Sequence, residues 1–171
     1  MMRTQLAPAL RDPERDPIGG VEIRPAGVDD AEGVHRFLAG LSPRTRALRF
    51  FTGMSRPSAS LVRAMVAVDA RRDVLLAVHG DVVVGHAMSF TGSGTDVEIA
   101  LVVTDGWQGR GIGSRLARGL LRRASANGAR TLGMDVLGEN RTVLSMVRRA
   151  WPEATMKVSS GTVEVVAAVG R

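Results

Sequence analysis

The stretch from Val97 to Ala124, VEIALVVTDGWQGRGIGSRLARGLLRRA, most constrains what this chain can fold into. It reads as an apolar strand, a short turn, a loop with glycines at 109, 111 and 113, and an arginine-rich helix. The first backbone N–H groups of a helix have no intrahelical partner and carry partial positive charge. Glycines let a phosphate approach that backbone closely. The segment therefore predicts a phosphorylated ligand at a helix N-terminus, next to a sheet that contributes the preceding strand.

The rest of the chain supplies that sheet. VEIRPA, from Val21, reads as a short strand. Asp29 or Asp30 can cap a helix through about Gly40, with Val34, Phe37, Leu38 and Leu41 on its apolar face. Ser42-Pro43 opens a second helical segment, RTRALRFF, and Ser58 or Ser60 a third, ASLVRAMVAVD. DVLLAVHGDVVVGHAMSF is the clearest hairpin, two β-branched runs around Gly80-Asp81. After the strand DVEIALVV and the glycine loop comes a helix with Ile112, Leu116, Leu120 and Ala124 on one stripe, and Gly128 is a plausible cap beyond it. TLGMDVL is a strand, ENRTVLSMVRRA a helix, and MKVSSGTVEVVAAV a closing hairpin. The expected class is α/β (α+β), a mixed, mostly antiparallel sheet of six to seven strands with helices on both faces. Residues 1–20, charged and proline-rich, are expected to be a flexible extension, and 21–171 one domain.

Composition removes several function classes. The 171 residues contain no cysteine, which excludes disulfides, thiolate metal sites and cysteine catalysis. The three histidines, His35, His79 and His86, have no metal-ligand spacing, so no metal is expected. No apolar run approaches the roughly 20 residues of a membrane span, and the N-terminus lacks the apolar core of a secretory signal. A cytoplasmic protein with no membrane partner is expected. The net charge of +6 is nearly all arginine, with Lys157 the only lysine, while aromatics are 4% and tyrosine is absent. Stacking platforms for single strands are therefore poorly supported, and nucleic acid is not the expected partner.

Three phosphate-loop readings compete. A Walker loop needs Gly-Lys-Ser/Thr, and this loop has no lysine. A dinucleotide fold needs G-x-G-x-x-G, but residue 114 is Ser; Asp135 lies where a ribose-binding acid would sit. Three strands in hairpin order also precede the loop, and too little chain follows to finish a doubly wound sheet. The third reading fits at several places. Gln108-Gly109-Arg110-Gly111-Ile112-Gly113 resembles the Q/R-x-x-G-x-G/A signature of the GNAT superfamily of acyl-CoA-dependent N-acyltransferases. The element order is similar too, from about Val21 to Val169. Within that superfamily the chain looks most like the catalytic domain of Pat-type bacterial protein lysine acetyltransferases. Leu41-Ser42-Pro43 followed by Leu48-Arg49-Phe50-Phe51, the strand Val97-Glu98-Ile99-Ala100, and Glu139-Asn140-Arg141 carry that likeness.

The resemblance implies acetyl-CoA as co-substrate. Its pyrophosphate would sit on the loop amides of Gln108, Gly109, Arg110, Gly111, Ile112 and Gly113. Its pantetheine arm would pair with the backbone of Leu101, Val102 and Val103 like an added strand. Arg110, and in reserve Arg115, would meet phosphate oxygens; Arg118, Arg122 and Arg123 read as a solvated helix face. Glu98 falls where lysine-acetylating relatives place a catalytic glutamate, so it is the expected general base, with Asp96 in reserve. By periodicity alone it is a solvent-facing strand residue. Asn140 either hydrogen-bonds the pantetheine or caps the helix it opens. The Tyr that many relatives place seven residues after this Asn is Val147 here, and Ser145 is a weak substitute acid. Trp151-Pro152 stands where relatives have Gly-Phe. His86 and Met88 read as core. The acceptor is expected to be an amine, on a small molecule or a protein lysine. The apolar strand TVEVVAAV offers a pairing edge for a homodimer. The alternative reading is a non-catalytic acyl-CoA-binding module.

Overall fold

The computed structural model describes residues 19–51 and 56–170. The expected extension over 1–20 lies outside these residues except for Gly19 and Gly20, which turn into the first strand. In chain order come β1 (Val21–Pro25), α1 (Ala31–Gly40), α2 (Pro43–Phe50), α3 (Ala59–Val66), β2 (Arg72–His79), β3 (Val82–Thr91) and β4 (Val97–Val103). Then follow α4 (Ile112–Ala126), β5 (Thr131–Leu137), α5 (Arg141–Ala150), β6 (Thr155–Ser159) and β7 (Thr162–Ala168). The seven strands form one mixed sheet in the order β1-β2-β3-β4-β5-β7-β6, antiparallel except for β4 against β5.

Local chemistry explains the elements. Ser42 and Ser58 cap α2 and α3 through their side chains, accepting from the Thr45 and Leu61 amides. The β2–β3 hairpin turns at Gly80, whose φ of 61° is left-handed. β2 is apolar from Val74 to Val78 because both faces are covered there. Val74, Leu76 and Val78 pack with α1 and α3, through Phe37, Leu38, Val62 and Met65. Leu75 and Ala77 pack with α4, through Ile112, Leu116 and Leu120. Gly85 on β3 lets α4 lie close, since a Cβ there would come within 3.0 Å of Leu116 Cδ1 and 3.2 Å of Ile112 Cγ2. Over β5 and β7, Leu144 and Val147 of α5 close a third cluster with Val136, Val163 and Val165.

One expectation is corrected. The last strand, β7, is not an edge, because β5 pairs with it on one side and β6 on the other. Its ladder groups are committed within the sheet, so TVEVVAAV offers no edge for a homodimer. The sheet edges are β1 and β6.

The feature that positions the site is a divergence. β4 and β5 pair only at Val97–Leu132 and Glu98–Gly133. Beyond that point β4 stays with β3 through Val103, while β5 stays with β7 through Leu137. The strands splay, and a cleft opens between them.

Candidate active site

The cleft runs from the glycine loop to Glu98 as three adjoining cavities that share walls. The outermost, about 480 Å³, is bounded by Leu101 to Val103, the loop, and the start of α5. The middle one, about 130 Å³, lies between the diverging strands and ends on Trp151. The innermost, about 390 Å³, is lined by Glu98, by Phe50 at the end of α2 and Phe51 just after it, and by Leu61 and Met65 from α3.

At the outer end, Gly109 and Gly111 have φ of 73° and 85°, a left-handed geometry that side chains resist. Gly111 is the N-cap of α4 and has no side chain to cover the first-turn amides, which leaves them for an anion. Ile112 is buried and anchors the helix start, and a Cβ on Gly113 would lie 3.6 Å from Leu101 Cδ1. The Arg110 guanidinium stacks over Trp107 at 4.8 Å, at the exposed rim. Gln108 uses its side chain inward instead: Nε2 donates to Val103 O at 2.9 Å and to Thr45 Oγ1 at 3.3 Å.

That bond settles which backbone groups of β4 face the cleft. Thr104 N donates to Val84 O on β3, whereas Val103 O faces the other way, to Gln108. Strand alternation then turns Leu101 with Val103 toward the cleft and Val102 toward β3. Of the three expected pantetheine partners, Leu101 and the Val103 amide face the cleft. Val102 also lines the outer cavity, but its N–H and C=O point to β3 and its side chain is buried against the α1–α3 layer. Asn140 lines both the outer and middle cavities, and its Oδ1 accepts from Val143 N at 3.3 Å, so it caps α5.

Glu98 sits at the last β4–β5 pair, half-buried, at the vertex of the cleft. Ser93 N donates to its Oε1 at 3.4 Å. Two glycines make room for its stem. A Cβ on Gly92 would come within 3.2 Å of Glu98 Cγ, and one on Gly133 within 3.5 Å. Asp96, the reserve candidate, is committed elsewhere. Its Oδ2 accepts from Arg130 N, Thr131 N and Thr131 Oγ1 at 2.8, 2.9 and 3.1 Å. Those donors, the Arg130 and Thr131 amides foremost, hold its carboxyl below the usual range. It ties the entry of β4 to the entry of β5, which is a structural task. Ser145 is exposed and lines none of the three cavities.

The arginine face of α4 also departs from expectation. Arg115 reaches back to β1, where its Nη2 donates to Val21 O at 3.1 Å, away from the loop mouth. Arg118 is buried, beside Ile23, Pro25 and Leu75, because α4 overhangs the β1–β2 edge. Arg123 pairs with Asp73. Arg122 and Arg123 are exposed and match the solvated reading. His86 is a core residue as expected, but Met88 is half-buried and lines the innermost cavity.

Two further groups escaped the sequence reading. Asp105, just past β4, accepts from Ser42 N at 3.0 Å, Ser42 Oγ at 2.7 Å and Thr45 Oγ1 at 2.8 Å. Partial burial pushes its carboxyl up, but the Ser42 and Thr45 donors outweigh that and hold it below the usual range. This brace fixes α2 to the loop. The second group is Arg49, near the end of α2. It lines all three cavities. Its Nη2 donates to Met88 Sδ at 3.5 Å, and its guanidinium lies 4.7 Å from the Phe50 ring centroid. Burial pushes its guanidinium down to about 10. Among the described residues no group of three His, Cys, Asp or Glu side chains is placed to hold a metal, and no helix is long and apolar enough to cross a membrane.

Comparison with known proteins agrees with this geometry. No curated protein sequence matches the chain. Among solved structures, the GNAT domain of S. lividans PAT is similar, with 28% identity, a TM-score of 0.79, and 86% of this chain aligned to 90% of that one. An acetyltransferase from Thermus thermophilus is 26% identical, with a TM-score of 0.63 over 86% of this chain and 96% of that one. Salmonella typhimurium yncA, solved with acetyl-CoA, shares the fold at 16% identity and a TM-score of 0.65, over 88% and 95% of the two chains. The model of the acetyltransferase (GNAT) family matches residues 50–150, from the end of α2 through α5 and so most of the cleft wall. The chain belongs to the acetyltransferase (GNAT) family.

Proposed function

We propose that this chain transfers an acetyl group from acetyl-CoA to an amine, with protein lysines among its acceptors, and that Glu98 is the general base. The observation that carries the reading is the divergence of β4 from β5 immediately after Glu98. It leaves a strand edge next to a glycine-capped helix start, with a carboxylate at the vertex. The residues suit acetyl-CoA. The amides at Gly111 to Gly113 are open to a pyrophosphate, with Arg110 at the rim as a second charge. Leu101, the Val103 amide and the Asn140 amide nitrogen are the partners for a pantetheine arm. The thioester would then lie in the middle cavity, and the acceptor would enter through the innermost one. When bound, acetyl-CoA supplies the activated acyl group.

An ammonium cannot attack, so the acceptor must lose a proton. Glu98 takes it, directly or through one water. The apolar side chains of Phe50 and Met65 in the cavity around it would limit water near the thioester. The lysine acceptor draws support from the likeness to the 28% identical PAT domain.

The test combines calorimetric CoA binding with acetyl transfer over a panel of amines and lysine peptides. The expected result is CoA binding and turnover, with Glu98→Gln retaining CoA affinity and losing at least about a hundredfold in kcat. Unchanged kcat in that variant removes Glu98 from the mechanism. Tight CoA binding with no transfer to any acceptor favours the non-catalytic module.

A further inference from the structure

The reaction proposed above must also dispose of a sulfur. As the amide forms, the C–S bond breaks and its electron pair stays on sulfur. The middle cavity, where this would happen, is walled by Ile99, Leu101, Met134, Val147 and Trp151. Apolar surroundings disfavour a thiolate. The chain has no tyrosine to donate a proton. Ser145 lies outside the cleft.

Among the described residues, Arg49 is the single cation in the walls of the middle and innermost cavities, and it borders the outer one as well. It stands where the three meet. Its surroundings are unusual for a guanidinium. It forms no ion pair among the described residues, although Glu98 and Asp135 line the same inner cavity. Its Nε is buried without a hydrogen-bond partner, and the acceptor at Nη2 is a thioether sulfur, a weak one. A sequestered guanidinium without an anion is costly, and the cost is recovered when an anion arrives. The Phe50 ring and the Met88 sulfur hold it without neutralising it.

We propose that Arg49 receives the negative charge that develops on sulfur, so that CoA departs as a thiolate without a general acid. This rests on the acetyl-transfer reading of the cleft. Glu98 first passes the ammonium proton to solvent; the neutral amine nitrogen then bonds to the thioester carbon and gives its second proton to Glu98. The C–S bond breaks with its pair on sulfur. Arg49 stabilises that charge and keeps its own proton throughout. Water protonates the thiolate after release, and Glu98 returns its proton to solvent.

The experiment uses CoA itself as the probe, so no acceptor is needed. The thiol of CoA bound to the full chain is titrated by its alkylation rate with iodoacetamide and by thiolate ultraviolet absorbance, in wild type, Arg49→Met and Arg49→Lys. Calorimetry below the titration range measures CoA affinity in each. In wild type the bound thiol should titrate at least about one pH unit below free CoA, a tenfold gain in thiolate at a given pH. Arg49→Met should abolish that depression while CoA affinity changes less than about threefold, because the pyrophosphate cradle is intact. Arg49→Lys keeps a charge without the planar fork and should fall between them; it serves as the decisive variant if Arg49→Met does not fold. Binding with the same thiol titration in wild type and in the folded variants overturns the role of Arg49 alone and leaves the CoA reading of the cleft standing. No CoA binding by wild type overturns the reading of the cleft, and this role with it.

Discussion

Acid should weaken this protein through one residue before its carboxylates matter. His86 on β3 is 0% exposed. Its ring nitrogen Nε2 lies 2.8 Å from Met65 O on α3. A carbonyl only accepts, so Nε2 carries a proton, and the charge of the ring is decided at Nδ1. The other nitrogen, Nδ1, is buried with no partner. Protonating it would place a charge in the core, close enough to Arg49 to feel its repulsion. Burial therefore pushes the imidazole from 6.5 down to about 4; the Met65 bond opposes this and Arg49 adds to it. The unfolded chain then binds the proton more readily than the fold. The histidine's contribution is complete above the unfolded value of 6.5, falls as the pH drops from there, and is lost by about 4. At about 1.4 kcal/mol per pH unit, that gap is about 3 kcal/mol.

Urea unfolding at half-unit steps from pH 8 to 4 measures the effect, with His86→Gln as the reference. Glutamine can still donate to Met65 O but does not titrate, so subtracting the two curves removes the shared carboxylates. The difference should be flat above about pH 7 and should shrink by about 3 kcal/mol between 6.5 and 4. A difference that stays flat across the whole range would refute the neutral buried imidazole. The consequence reaches the site, because His86 pairs with Val102 of β4 and holds α3 over the innermost cavity.

Two other perturbations separate the parts of the cleft. Asp105→Ala removes the acceptor of three hydrogen bonds from Ser42 and Thr45; at a solvent-exposed site this should cost about 1–2 kcal/mol in urea unfolding. With α2 loosened from the glycine loop, KM for acetyl-CoA should rise several-fold while kcat moves less, and equal losses in both would argue against a brace. Gly133→Val would press on Thr95 Oγ1, 2.9 Å from the new Cβ, and on the Glu98 stem. Displacing the base by a fraction of an ångström should lower kcat at least about tenfold with CoA affinity within about twofold, and a drop confined to CoA affinity would place Glu98 outside the chemistry.

The parts of this fold that were legible in the sequence are those decided within a few residues of themselves. The glycine loop, the Gly80-Asp81 hairpin and the α4 stripe each carry their signal locally, in turn chemistry or a 3.6-residue period. The groups that make the loop a site are decided across the chain. Gln108 and Asp105 bond to Thr45 and Ser42, 60 and more positions away, and nothing near either residue announces the partner. Arg115 and Arg118 sit on the polar side of the α4 stripe, yet the β1–β2 edge beneath them draws both inward.

The opening of the cleft is the least local feature, and it follows from how β5 is partnered. β5 pairs with β7 along its full length, from Thr131–Ala168 to Leu137–Thr162, but with β4 at only two positions. A strand is held by the neighbour with which it shares more ladder bonds and side-chain pairs, so β5 follows β7 and leaves β4 behind. The near-continuous apolar run of β7 was the available clue, since a strand covered by neighbours reads that way and an edge strand seldom does. Read as an edge, TVEVVAAV suggested a dimer. As an interior strand it pulls β5 away from β4 and frees the backbone of Leu101. Chain after residue 160, remote from every motif in the cleft, therefore sets its width. A substitution that weakens β7 against β5, such as Val165→Ala at a fully buried position opposite Met134 of the cleft wall, should alter CoA affinity although Val165 itself lines none of the three cavities.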